Sequence, residues 1–138
     1  MNRKEINRLM EYLGGFELAG FNAEERRNYL NFSLDRFLKT LDLFPGSINK
    51  NSRVLELGAS PYFMSMLIEK KLGCRPDLAN YFGNKKYSES KEILVNETLG
   101  EKRILPFRHF NVEKDEFPYR KETYDLVMFC EIIEHLTV

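Results

Sequence analysis

A chain of 138 residues is about one domain long and can bury a sizeable core. Its 21 Lys and Arg balance 21 Asp and Glu, so no global field draws in nucleic acid or an anionic membrane. Cys74 and Cys130 have neither metal-ligand spacing nor the makings of a disulfide framework, and Met1 runs straight into the polar stretch NRKEINR; no signal-peptide core or membrane-spanning run is present, and a cytoplasmic protein is expected.

The first fifty residues read as helical. Ile6, Leu9, Met10 and Leu13 share one face of a short helix that Gly14-Gly15 ends. A longer helix starts near Asn22, with Glu25 completing a capping-box-like pair. Its apolar face would comprise Tyr29, Leu30, Phe32, Leu34, Phe37, Leu38 and Leu41, and Pro45-Gly46 stops it. Residues 1–50 thus form an N-terminal helical segment, and residues 51–138 a second region.

At Arg53 the period changes. Val54–Leu57 reads as a buried strand, Phe63–Leu72 as a helix stopped by Gly73, and Asp77–Tyr81 as a second strand. Lys91–Val95 and Ile104–Phe110 flank a turn-rich segment and suggest a hairpin, although a helix running from Ser88 to Leu99 fits the composition too. Tyr124–Cys130 is another strand, leading into a helix at Glu131–Leu136. Strand, helix, strand, insertion and strand in that order predict an α/β fold with a mostly parallel sheet.

In such a sheet, ligands bind beyond the carboxyl ends of the strands. Those ends carry Glu56, Asn80, Asn111-Val112-Glu113 and Cys130-Glu131. Acids and amides suit a ligand that offers an ammonium, hydroxyls and an exocyclic amine, and suit a phosphate poorly. A lysine-containing P-loop and a GxGxxG run are both absent from the sequence, which weakens the nucleotide-triphosphate and dinucleotide alternatives.

Glu56-Leu57-Gly58-Ala59-Ser60 matches the start of an acid-x-Gly-x-Gly-x-Gly motif. The run from Glu116 to Val127, EFPYRKETYDLV, resembles an LPF segment followed by FDLV, and Cys130–Leu136 resembles the motif after a fourth strand. In this order the chain resembles the class I S-adenosylmethionine-dependent methyltransferases, from about Arg53 onward. ELGASPYF, ANYFG and HFNVE are more narrowly similar to bacterial methyltransferases of surface-polysaccharide gene clusters. The resemblance implies the N-terminal half of a Rossmann-like sheet that binds S-adenosylmethionine. It also implies methyl transfer to a small-molecule, sugar or glycan acceptor, while the balanced charge gives no reason to expect a nucleic-acid or membrane partner.

Carried over residue by residue, Glu56, Gly58, Ala59 and Ser60 would hold the methionine portion. Asn80 stands where the family has an acid on the ribose hydroxyls, with Tyr81 beside it in the cofactor-binding set. Val112 would pack on the adenine and Glu113 would meet its amino group. Cys130 and Glu131 would border the sulfonium. Glu131 and His135 are the candidate catalytic pair, His135 as general base. No metal is assigned, although Glu131, Glu134 and His135 have the spacing to approach one cation. Each also has a plain structural interpretation: Glu113 a solvated loop acid, Cys130 and residues 62–66 core, His109 a structural histidine, and His135 a core histidine at a helix start.

Ser60 and Tyr62 replace glycines of the common pattern, and Pro61 removes a backbone donor. The chain reaches only the fourth strand of the resembled sheet, so a truncated protein is expected, with that strand an exposed edge open to self-association. The alternative function is a truncated or degenerate module that binds cofactor or partner without turnover.

Overall fold

The computed structural model describes residues 1–83, 89–130 and 132–137. In chain order the elements are α1 (Arg3–Gly14), β1 (Glu17–Leu18), α2 (Ala23–Asp42), β2 (Val54–Leu57), α3 (Phe63–Leu72), β3 (Asp77–Asn80), β4 (Glu89–Asn96), β5 (Glu101–His109) and β6 (Leu126–Met128), followed by a 3-10 turn at Ile133–His135. Contacts divide the chain into two units: Met1–Phe44 with Glu92–Leu105, and Pro45–Lys91 with Pro106–Val138. Among the described residues no helix is long and apolar enough to cross a membrane.

In the first unit, α1 starts at a capping box. The Asn2 side chain accepts from the Glu5 N–H at 3.0 Å, and the Asn2 N–H donates to Glu5 Oε2 at 2.9 Å. Asn22 caps α2 by accepting from the N–H groups of Glu24 and Glu25. Leu9, Leu13, Phe16, Leu18, Leu30, Leu34, Phe37 and Leu94 are buried here. The expected apolar face of α2 is corrected. Phe32 is 87% exposed and Tyr29 is exposed too, whereas Arg26 and Ser33 are buried. Arg26 is tolerated inside because its Nε–H donates to the Phe16 carbonyl at 3.1 Å; burial still lowers its pKa to about 10, with Glu92 acting in the opposite sense. Gly15 has an ordinary negative φ but no room for a side chain: a Cβ there would lie 2.6 Å from Asn96 Nδ2.

The strands form one six-stranded sheet in the order β1-β4-β5-β3-β2-β6. The expectation of a mostly parallel sheet is corrected, because the sheet is mixed. Strands β5, β3, β2 and β6 run parallel, while β1 pairs antiparallel with β4. The hairpin explains the difference. Strand β4 returns the chain antiparallel, so β5 can enter beside β3 without a crossover helix. The hairpin is longer than expected, and the rival helix is excluded over 89–99; its start at Ser88 lies outside the described residues. Pro106 is accommodated within β5 because pairing with β3 is confined to Arg108 and His109.

From β2 the chain moves outward to β3 and β5, then returns to place β6 on the other side of β2. All four residues of β2 are buried, as befits a strand covered on both faces. Leu55 and Leu57 pack with Ala79 and Phe110 on one face, where Val112, Tyr119, Tyr124, Phe129 and Ile132 join them. Glu56 points to the opposite face, toward Ser65 of α3. Strand β6 is shorter than expected, and a 3-10 turn stands where a helix was expected.

Polar contacts fasten the amino ends of β2, β3 and β6. Arg53 N–H donates to Asp125 Oδ2 at 2.7 Å, and Asp125 N–H donates back to the Arg53 carbonyl at 2.8 Å. The Tyr124 hydroxyl donates to Asp77 at 2.5 Å, with the Arg53 guanidinium 3.7 Å from the same carboxylate and 5.2 Å from the Tyr124 ring centroid. Burial and then Asp77 raise the Tyr124 pKa above the usual phenolic range. Asp77→Ala is therefore expected to cost about 1 kcal/mol, because Asp77 is half exposed. It should also lower the Tyr124 pKa, read by ultraviolet titration of tyrosinate; an unmoved titration would disprove the clamp.

Candidate functional site at the carboxyl ends of the parallel strands

The loop after β2 is a closed hydrogen-bonded turn. The N–H groups of Gly58 and Ala59 donate to the Ala79 carbonyl at 2.8 and 3.2 Å. The Ser60 N–H donates to Asn80 Oδ1 at 2.8 Å, and the Tyr62 N–H donates to the Ala59 carbonyl at 2.7 Å. Pro61, after a cis peptide bond, has no N–H to give. Every backbone donor from residue 58 to 62 is thus engaged inside the protein, and none is aimed outward at an anion. A ligand of this loop would meet no backbone N–H, and the Ser60 hydroxyl is the side-chain donor beside it. That disfavours a phosphate, which needs outward-facing N–H groups.

Asn80 supports this turn from the end of β3. Its Oδ1 receives Ser60, its Nδ2 donates to the Tyr62 hydroxyl at 3.0 Å, and only 4% of the residue is exposed. The amide is thus engaged in positioning the loop at both ends, a role its place in the sequence did not signal. Tyr62 is fully buried at φ 75°, in the left-handed region, and residues 62–66 are all core.

Glu56 is 6% exposed and lies beneath the loop, with the Ser65 hydroxyl donating to its Oε2 at 2.5 Å. Burial pushes its carboxyl up to about 8, and the Ser65 hydrogen bond acts in the opposite sense. Ser65 was not foreseen; a lone serine among the apolar residues 63–68, one helical turn behind the loop, was the available signal.

Tyr81 and Phe82 continue from β3 as exposed rings against His109, at centroid distances of 5.4 and 6.0 Å. His109 Nε2 accepts the Phe82 N–H at 2.8 Å, which gives the histidine a structural role. After β5, Val112 packs on the Leu55–Leu57 cluster, while Glu113 is exposed and its carboxylate accepts from the Thr137 N–H and, at 3.1 Å, from the Thr137 hydroxyl.

At the far side of the crevice Cys130 is exposed, so its interpretation as a core residue is corrected. Glu131 lies outside the described residues, and with it the expected catalytic pair and the third member of the cation set. His135 Nε2 is 3.9 Å from Glu134 Oε1, and the imidazole is 77% exposed, which corrects the reading of a core histidine at a helix start. Among the described residues no three His, Cys, Asp or Glu converge as metal ligands.

Gly58 joins this region to the rest. It sits at φ 71°, and a Cβ there would lie 2.7 Å from Ile132 Cδ1. Gly58→Ala is expected to destabilise the protein by about 1–2 kcal/mol, mainly from backbone strain, because the end of Ile132 can shift. Chemical denaturation of the variant measures it, and an unchanged midpoint would contradict the left-handed geometry.

A separate open depression of about 360 Å3 is lined by Ser47, Ile48, Asn49, Asn51, Ser52 and Asp125, at the amino ends of β2 and β6. Its polar groups serve the local turn: the Asn49 N–H donates to Ser52 Oγ, and the Asn51 N–H to Asn49 Oδ1. Comparison with protein-family models, with curated proteins and with solved structures finds no match.

Proposed function

We propose that the chain binds S-adenosylmethionine at the carboxyl ends of β2, β3 and β5, in a Rossmann-like arrangement, and supports methyl transfer to a small-molecule, sugar or glycan acceptor. The observation that carries this is the reversal of strand order between β2 and β6, with the Glu56–Gly58 turn at that point. In open parallel sheets the ligand crevice opens where the order reverses.

The donor and acceptor balance supports the same ligand. A buried carboxyl at Glu56, the apolar Val112 and the Glu113 carboxylate offer acceptors and a packing surface, matched to an ammonium, an adenine ring and its amino group. Bound there, the cofactor would supply an electrophilic methyl group on a sulfonium. The protein's part is to hold that group in line with the acceptor, which accounts for most of the rate in transfers of this kind. His135, exposed at the end of the 3-10 turn, could take the acceptor's proton.

A second function, binding without turnover, draws support from one observation. The backbone donors of residues 58–62 are all engaged, so the cofactor's carboxylate meets no free N–H in the loop. Self-association through β6, an edge strand whose Val127 is half exposed, belongs with it.

Calorimetric titration with S-adenosylhomocysteine, with NADH as the control, tests the proposal. Binding of the first alone is expected, with release of the Glu56 proton as the ammonium settles beside the carboxyl, and weakened about 10-fold by Glu56→Gln, which cannot ionise. Equal binding of NADH, or unchanged affinity in Glu56→Gln, would count against it. Methyl release in the presence of an acceptor then separates turnover from binding alone.

A further inference from the structure

One short segment meets the crevice at three points. Ile132 fills the space into which a side chain on Gly58 would project, with Cδ1 2.7 Å and Cγ1 2.9 Å from the ideal Cβ position. The same side chain packs on the Leu55, Leu57, Ala79 and Phe110 cluster, which also carries Val112. Five residues on, Thr137 holds both oxygens of the Glu113 carboxylate, through its N–H and its hydroxyl. Gly58 lies more than fifty residues of sequence before Val112 and Glu113, and the segment reaches all of their surroundings within six.

We propose that residues 132–137 are an intramolecular occupant of the cofactor crevice, which a bound ligand must displace. The inference rests on the functional proposal above and adds a regulatory step to it, in which His135 travels with the segment and meets an acceptor only after displacement. The physical basis is competition for the same groups. Glu113 cannot give both oxygens to Thr137 and also accept an amino group with full strength, and a ligand lying on the Gly58 face meets Ile132 there. Gly58 keeps solvent access on its remaining side, so a ligand can dock on the loop before the segment leaves. Much of the segment is open to solvent: Glu134, His135 and Thr137 are exposed, and Ile132 and Leu136 are only partly buried. Closure of this kind divides the intrinsic dissociation constant by the fraction of molecules that are open, and so weakens the apparent affinity.

The test uses the whole chain and S-adenosylhomocysteine. Ile132→Ala removes the side chain that meets Gly58, and Thr137→Pro removes both donors to Glu113. Each variant is expected to bind about fivefold or more tightly than the unsubstituted chain, as the closed fraction falls. Hydrogen exchange of the Thr137 amide should accelerate when ligand saturates the unsubstituted chain, because the amide loses Glu113 as its acceptor. Equal or weaker binding by the variants, or a Thr137 amide that ligand protects, overturns the occupant while leaving the cofactor proposal in place. No binding by any of the three folded chains overturns both. Should Ile132→Ala fail to fold, Thr137→Pro on the exposed segment and the exchange measurement still decide the matter.

Discussion

The stability of the protein is expected to depend steeply on pH between about pH 4.5 and 8, and Glu56→Gln is expected to remove that dependence. The sign follows from burial. In the unfolded chain the carboxyl titrates at its ordinary 4.5, whereas in the folded protein burial pushes it up to about 8. Between those values the folded state holds a proton that the unfolded state has released. Stability from this group is therefore complete below the lower value, falls as pH rises through the window, and is lost above the upper one. The loss is on the order of 3–5 kcal/mol, large for a chain of this size.

Glutamine keeps the shape and cannot ionise, and the Ser65 hydroxyl can turn to accept from its amide. Urea denaturation of both proteins from pH 5 to 9 isolates the effect, since other titrating groups cancel in the difference. The curves should meet near pH 5 and separate with alkali, the variant becoming the more stable. Parallel curves would show that Glu56 is solvated in the folded protein.

How far the sequence foretold this structure depended on what each element needs from elsewhere in the chain. Elements governed by local chemistry were legible. Val54–Leu57 is a buried strand, Phe63–Leu72 a helix, and Gly73 ends it at φ 75° with its N–H on the Glu69 carbonyl. Elements defined by a distant partner were not. The two-residue strand β1 exists only through the pairing of Glu17 with Val95 and Leu18 with Leu94. Arg26 is buried because the Phe16 carbonyl waits there, and Phe32 is exposed although its apolar character placed it on the inner face.

The candidate site divides in the same way. The sequence placed Glu56, Asn80, Val112 and Glu113 at strand ends, and those strands lie side by side. It did not signal what each side chain touches. Asn80 faces the loop, Glu113 faces Thr137, and Glu56 faces Ser65, because each has a hydrogen-bond partner there within the fold. Motif matching locates a residue along the chain, but hydrogen-bond competition decides its direction.

Tyr62 shows what that competition has built. In the motif that the loop resembles, position 62 is glycine, and the left-handed φ of 75° is one that glycine adopts without strain. On backbone grounds alone Tyr62→Gly should stabilise the turn by about 1 kcal/mol. The side chain reverses the sign. The ring is fully buried, and its hydroxyl accepts from Asn80 Nδ2, whose other end holds the Ser60 N–H. Removing a buried aromatic side chain costs about 3–5 kcal/mol, and an unsatisfied buried amide adds about 1–3 more. A net loss of several kcal/mol is expected, enough to unfold a marginal domain at room temperature.

Tyr62→Phe separates the two contributions, since it keeps the ring and removes only the hydroxyl; its cost should be about 1–2 kcal/mol. Thermal denaturation of both variants measures the difference. If Tyr62→Gly proved as stable as the unsubstituted protein, the loop would be held by its backbone alone and Asn80 would be free to face the crevice. If the loss is large, the tyrosine is what turns Asn80 inward, and the route to a ligand-facing amide at this position runs through residue 62.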